Sequence, residues 1–213
     1  MIITCLGHAS FLLELENGYR IVTDPYDSSV GYPMRHTRAN AVLVSHQHHD
    51  HNAVDTVSGY ETVVDAAGSR TLAPGVQVTA IDAFHDDCNG AKRGKTLLFL
   101  LEAEGLRVAH LGDLGADLSP SQEKALGRVD ILMIPTGGFF TIDAEQAHAI
   151  AMRLKPAVTL PMHYRTACNA DWPIAAAEAY TSLCPSFETL PLLRVVKADL
   201  ACQPKTVILT AAD

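Results

Sequence analysis

Cysteine is scarce in this chain. Cys5, Cys88, Cys168, Cys184 and Cys202 are widely spaced, odd in number, and never in a C-x-x-C pair. That reads as reduced thiols in a cytosolic protein rather than a disulfide framework. Basic residues are also in deficit: 16 Lys and Arg face 24 Asp and Glu, a formal net charge of −8. This balance argues against a nucleic-acid backbone as partner. It leaves room for an anionic small molecule, because a metal centre can reverse the local potential. No apolar run approaches the roughly 20 residues of a membrane helix. The first eight residues show neither a basic n-region nor a long apolar stretch, so no signal peptide is expected. The expectation is a soluble, cytoplasmic chain without stable membrane insertion. No G-x-S-x-G elbow is present, so a serine nucleophile of that kind is absent.

What is present is enough for a core. The 213 residues are 48% hydrophobic, which suits a single domain spanning 1–213. Residues 10–16 and 19–24 read as strands around Asn17-Gly18, a two-residue hairpin signal, and 96–103 and 106–111 do the same around Glu104-Gly105. Further strands are expected over 41–45, 76–82, 129–134, 157–160 and 205–210. Helices are expected over 120–126 behind the N-cap Ser119, over 143–154 between Asp143 and Pro156, and over 174–183.

The chemistry concentrates in His46-Gln47-His48-His49-Asp50-His51. Imidazole and carboxylate are good ligands for zinc and similar divalent ions. In extended chain His46 and His48 point to one side and can reach one ion. Asp50 and His51 lie beyond a turn and can reach a second. Taken alone, such a loop could be an adventitious metal-binding tract, and His49 faces away from its neighbours. Three later segments change the weighing. His85, Asp113 and His163 each follow an apolar strand, as Asp24 and His46 do, and strand ends are where a sheet-based fold gathers its site.

The H-x-H-x-D-H loop followed in order by His85, Asp113 and His163 resembles the metallo-β-lactamase superfamily. Leu6-Gly7-His8-Ala9-Ser10, Thr23-Asp24-Pro25 and Pro161-Met162-His163-Tyr164 look like the branch of L-ascorbate-6-phosphate lactonase and N-acylphosphatidylethanolamine-hydrolysing phospholipase D. The resemblance implies an α/β fold, a four-layer αββα sandwich, with metals at the loop edges of two sheets. It implies His46, His48 and His85 on a first metal, Asp50, His51 and His163 on a second, and Asp113 bridging them, the usual two-metal separation being roughly 3.5–4 Å. Zinc is the first expectation, manganese the next, with iron or nickel also suited to nitrogen and oxygen donors.

The expected activity is hydrolysis of an ester, lactone, amide or phosphodiester by a metal-bridging hydroxide, with Asp50 orienting it and shuttling its proton. Asp24 either fixes a ligand histidine's tautomer or forms a turn before Pro25. His8 either faces substrate or makes a structural hydrogen bond, and His110 is either behind the ligands or a core histidine. Arg93, with Lys92 or Lys95, is a candidate clamp for an anionic group of a small-molecule substrate. The loop over 26–38, with Tyr32 and Met34, is a candidate wall of the site. A homo-oligomer is compatible with such a compact enzyme. The competing readings are an iron-dependent oxidoreductase on the same scaffold and a non-catalytic metal-binding protein.

Overall fold

The computed structural model describes residues 1–33, 36–200 and 205–211. Two sheets face each other. The first has six strands in the order Leu193–Arg194, Ile2–Gly7, Ser10–Glu14, Arg20–Thr23, Ala41–Leu43 and Thr62–Val64. The second has eight, in the order Phe187–Leu190, Lys205–Leu209, Val158–Met162, Ile131–Pro135, Leu106–His110, Lys95–Ala103, Val76–Phe84 and Gly68–Ala73. Alternation of apolar residues builds the space between them: Ile3, Phe11, Leu13 and Ile21 from the first sheet meet Val78, Phe99, Leu101, Met133 and Leu160 from the second.

The opposite face of the eight-stranded sheet is apolar too, through Leu98, Leu100, Leu132 and Ile134. It is covered by the helices Pro120–Leu126 and Ala144–Leu154, which bury Leu126, Ala147 and Ile150. Both helices begin with reciprocal capping boxes, Ser119 with Gln122 and Asp143 with Gln146. The outer face of the six-stranded sheet buries Leu12, Val22 and Val42 under Tyr26, Val30 and Tyr32. There the covering layer is loop and short 3₁₀ turns, Ser28–Val30 and Val54–Thr56. Among the described residues no helix is long and apolar enough to cross a membrane.

Several local expectations are corrected. Asn17-Gly18 does not make a two-residue turn: Leu15 N–H bonds to Tyr19 O and Gly18 N–H to Leu15 O. Gly18 has φ +83°, which gives a three-residue loop with a left-handed closing glycine. At Glu104-Gly105 both residues have positive φ between the paired Ala103 and Leu106, the two-residue form that was expected. The helix expected over 174–183 shrinks to Glu178–Thr181. Its first turn is lost because Ala175 N–H bonds to Gly137 O and Ala176 pairs with Arg165 in a parallel bridge. Tyr32 lies buried under the loop layer, its hydroxyl bonded to Thr166, rather than on a wall of the site. Met34 and Cys202 lie outside the described residues.

Strand direction assembles the site. Ile2–Gly7 is antiparallel to Ser10–Glu14, which is antiparallel to Arg20–Thr23, which is parallel to Ala41–Leu43. The chain therefore leaves Ile2–Gly7, Arg20–Thr23 and Ala41–Leu43 toward one edge, carrying His8, Asp24 and His46 just past them. In the second sheet, Val76–Phe84, Leu106–His110 and Val158–Met162 run the same way, and His85, Asp113 and His163 follow their ends. The two edges meet.

Candidate metal centre

His46, His48 and His85 bring one ring nitrogen each to within 4.8 Å of one another. A second group with the same spacing holds His8, Asp50, His51 and His163. Asp113 stands between them. Its Oδ2 is 3.3 Å from His85 Nε2, 4.0 Å from His46 Nε2 and 3.1 Å from His163 Nε2, while Oδ1 is 3.3 Å from His51 Nε2. All of these donors are buried except His48, which is exposed, with Asp50 bordering the surface.

The polar atoms at this spot are not satisfied by the protein. His46 Nε2, His51 Nε2, His85 Nδ1, His163 Nδ1, Asp113 Oδ1 and both nitrogens of His8 are buried without a hydrogen-bond partner. Each such orphan costs about 1–3 kcal/mol, and folded proteins carry few. Their concentration around one carboxylate, with nitrogen and oxygen donors only, fits divalent metal. The electrostatics agree. Burial pushes His46 down to about 3, and burial with the neighbouring His163 pushes His8 down to about 4, so both rings are neutral near pH 7. Burial would raise Asp113, but His163 and His51 hold it well below the ordinary carboxylate range.

Behind the donors, Asp24 is fully enclosed and fixes their orientation. Its Oδ1 accepts from Ser45 N–H at 2.7 Å, and its Oδ2 accepts from Ser45 Oγ at 2.7 Å and faces His51 Nδ1 at 2.9 Å. A hydroxyl has one hydrogen, so Ser45 Oγ must accept from His46 Nδ1–H, 2.9 Å away. One buried carboxylate thereby turns Nε2 of both His46 and His51 inward. His110 lies behind this layer. It accepts from Gly112 N–H on Nδ1 at 3.1 Å and donates from Nε2 to Ala9 O at 2.9 Å, tying the second sheet to the turn after His8.

Beyond Asp24, several buried groups do the positioning that spacing alone could not reveal. Asp86, next to His85, accepts four backbone N–H groups, from Cys88, Gly90, Lys92 and Arg93, at 2.7–2.9 Å. It holds the loop that carries Arg93. Burial would raise its pKa, but these donors keep it below the usual range. Two glycines let the chain close in: a Cβ on Gly115 would lie 2.2 Å from Asp86 N, and one on Gly137 would lie 2.2 Å from His163 O.

A cleft of about 440 Å³ opens over His48, Asp50, His85, Asp113 and His163. Its other walls are Arg93, Phe140, Trp172 and Pro173, with Asp171 at the rim. The Arg93 guanidinium sits 5.5 Å over the Phe140 ring. Lys92 pairs with Asp87 at 3.2 Å on the surface, away from this cleft, whereas Lys95, which approaches Asp82 at 3.9 Å, lines an adjoining cavity with Arg93, His46 and His48. His49 is exposed, 2.9 Å from Ser29 Oγ, and also borders the cleft. Trp172 and Phe140 were not singled out from sequence; the only available signal was that Trp172 is the sole tryptophan.

A profile describing a β-lactamase superfamily domain matches residues 2–163, more than half of the chain. The chain belongs to the metallo-β-lactamase superfamily. A relative from Carboxydothermus hydrogenoformans, named a UPF0173 metal-dependent hydrolase, is 32% identical, covering 84% of this chain and 88% of that protein. The crystal structure of a candidate Zn-dependent hydrolase of the superfamily from Thermotoga maritima is 33% identical, with a TM-score of 0.81 over 98% of each chain. Igni18, a metallo hydrolase from Ignicoccus hospitalis, shares the fold with a TM-score of 0.71 at 20% identity, covering 100% of this chain and 96% of that one.

Proposed function

We propose that this metal-dependent hydrolase works with two divalent ions, zinc first and manganese next, on a small anionic ester, lactone, amide or phosphodiester. One observation carries the reading: three imidazoles on one side of Asp113 and an Asp50, His51 and His163 group on the other converge on a single carboxylate, with buried unpaired atoms on His46, His51, His85, His163 and Asp113. When bound, such ions supply Lewis acidity and a water acidic enough to react near neutral pH. Asp50 borders the cleft; burial would raise it, but His51 and His8 keep it a carboxylate. It is the group that orients the attacking water and takes its proton. Trp172, Phe140 and Pro173 exclude water from one side, which strengthens every charge interaction in the cleft.

Arg93 receives the anionic group of the substrate. It lines the cleft, its backbone is tied to Asp86, and its side chain rests on Phe140. Among the described residues no carboxylate is ion-paired with it, so its charge is available. The cleft volume suits a small molecule rather than a polymer.

The test is metal analysis of the purified protein joined to a panel of lactones, phosphodiesters, phosphate esters and acyl amides, each with zinc and with manganese. Two metals per chain and turnover of an anionic member are expected. Arg93→Ala should raise KM for that substrate at least 10-fold with little change in metal content; an unchanged KM defeats the clamp. Iron in the protein with oxygen consumption would favour the oxidoreductase reading instead.

A further inference from the structure

The second donor group contains one more residue than the family pattern supplies, His8. Its side chain is wholly enclosed, and neither ring nitrogen has a hydrogen-bond partner. Nε2 lies 3.3 Å from Asp50 Oδ2 without the alignment of a hydrogen bond. The ring centroid is 4.1 Å from that of His163 and 5.3 Å from that of His51. A buried imidazole whose Nδ1 has no partner and whose Nε2 only faces a carboxylate that is itself a candidate ligand is costly in a protein interior unless something absent from the polypeptide satisfies it.

The backbone is bent to put the ring there. His8 has φ +55° and His163 has φ +52°, left-handed values that a histidine adopts at a cost. The two are linked, since His163 N–H bonds to His8 O at 3.2 Å. His110 then pins the next peptide through Ala9 O. A residue serving only to fill space would need none of this.

We propose that His8 is a ligand of the second metal, making that site His8, Asp50, His51 and His163 with Asp113 shared. This rests on the two-metal reading above. The consequence is asymmetry: the second site draws three imidazoles and a carboxylate from buried positions, whereas the first includes the exposed His48. The second site is then the tighter and the less exchangeable of the two.

Nitrogen-15 NMR of histidine-labelled wild-type protein tests this without any variant. Of the ten histidines, six rings should shift between the chelator-treated and zinc-loaded forms: His8, His46, His48, His51, His85 and His163. His8→Gln, which retains a polar side chain, identifies the His8 signal by its loss. It should weaken one of the two zinc equivalents ~10–100-fold or more and leave the other unchanged. For His8→Ala, added imidazole should restore that equivalent. Five shifted rings with His8 unmoved would overturn the His8 assignment and leave the two-metal reading standing. A response from His46, His48 and His85 alone would remove both. Two zinc equivalents of wild-type affinity in His8→Gln would likewise overturn it.

Discussion

Asp24 Oδ2 lies 2.9 Å from His51 Nδ1, and both side chains are fully enclosed. The same oxygen takes the Ser45 hydroxyl, which in turn receives His46 Nδ1–H, so a single carboxylate orients one candidate donor in each of the two groups proposed to hold metal. Asp24→Asn puts an amide NH₂ where an acceptor is required and should weaken both metals ~10–100-fold. Ser45→Ala breaks only the branch to His46 and should weaken one metal, by ~10-fold, at about 1 kcal/mol of stability. Titration of zinc into each apo variant checks the split; equal weakening of both ions in Ser45→Ala would contradict it.

The metal-free protein should lose stability on mild acidification. His46 and His8 are pushed down to about 3 and about 4, so at pH 5 they stay neutral when folded, while an unfolded chain protonates them near 6.5. The unfolded state then binds more protons, and stability falls as pH drops through 6.5 toward 4, by about 2 kcal/mol per ring between pH 7 and 5. His51 has the opposite sign. Burial opposes its charge, but Asp113 and Asp24 raise it well above the ordinary value. Its contribution is complete below about 6.5 and is lost only as pH rises past the raised value, so over this window it returns under about 1 kcal/mol. Thermal unfolding of chelated protein at pH 7 and pH 5 should show the lower Tm at pH 5.

Removing the carboxylate of Asp86 should free the loop it organises. With Asp86→Ala, four backbone N–H groups lose their acceptor. The expected cost is about 2–4 kcal/mol. Hydrogen exchange should quicken at Cys88, Gly90, Lys92 and Arg93, and KM for an anionic substrate should rise as in Arg93→Ala. Unchanged exchange at these amides would refute the role.

Gly115→Ala and Gly137→Ala should each destabilise by about 2 kcal/mol or more, because the added Cβ meets backbone at 2.2 Å that cannot move without shifting His85–Asp86 or His163. Denaturant titration measures the loss. Metal content should fall with it, since the displaced backbone carries donors.

The residues that converge on Asp113 were legible because chemistry-bearing residues at strand ends announce themselves locally. H-x-H-x-D-H needs no partner to be noticed, and each of His85, Asp113 and His163 follows a short apolar or alternating stretch that reads as a strand. The paired strands around Glu104-Gly105 and the capped helices at Ser119 and Asp143 were readable for the same reason: hairpin turns and caps are settled within a few residues. Where local preference competed with distant pairing, it lost. Residues 174–177 have helix-forming alanines, yet their backbone bonds to Gly137 and Arg165 from elsewhere in the chain.

The sequence by itself determined which atoms could bind metal, since imidazole and carboxylate have no substitutes for that chemistry and their spacing is covalent. Only the tertiary structure decided how those atoms are grouped and aimed. That His8 joins Asp50, His51 and His163, that Ser45 relays Asp24 to His46, and that Trp172 and Phe140 wall the cleft all depend on two sheet edges meeting. Contacts between residues as far apart as His8 and His163 are set by strand order and direction, which come from burying both sheets' apolar faces together and leave no local trace in the chain.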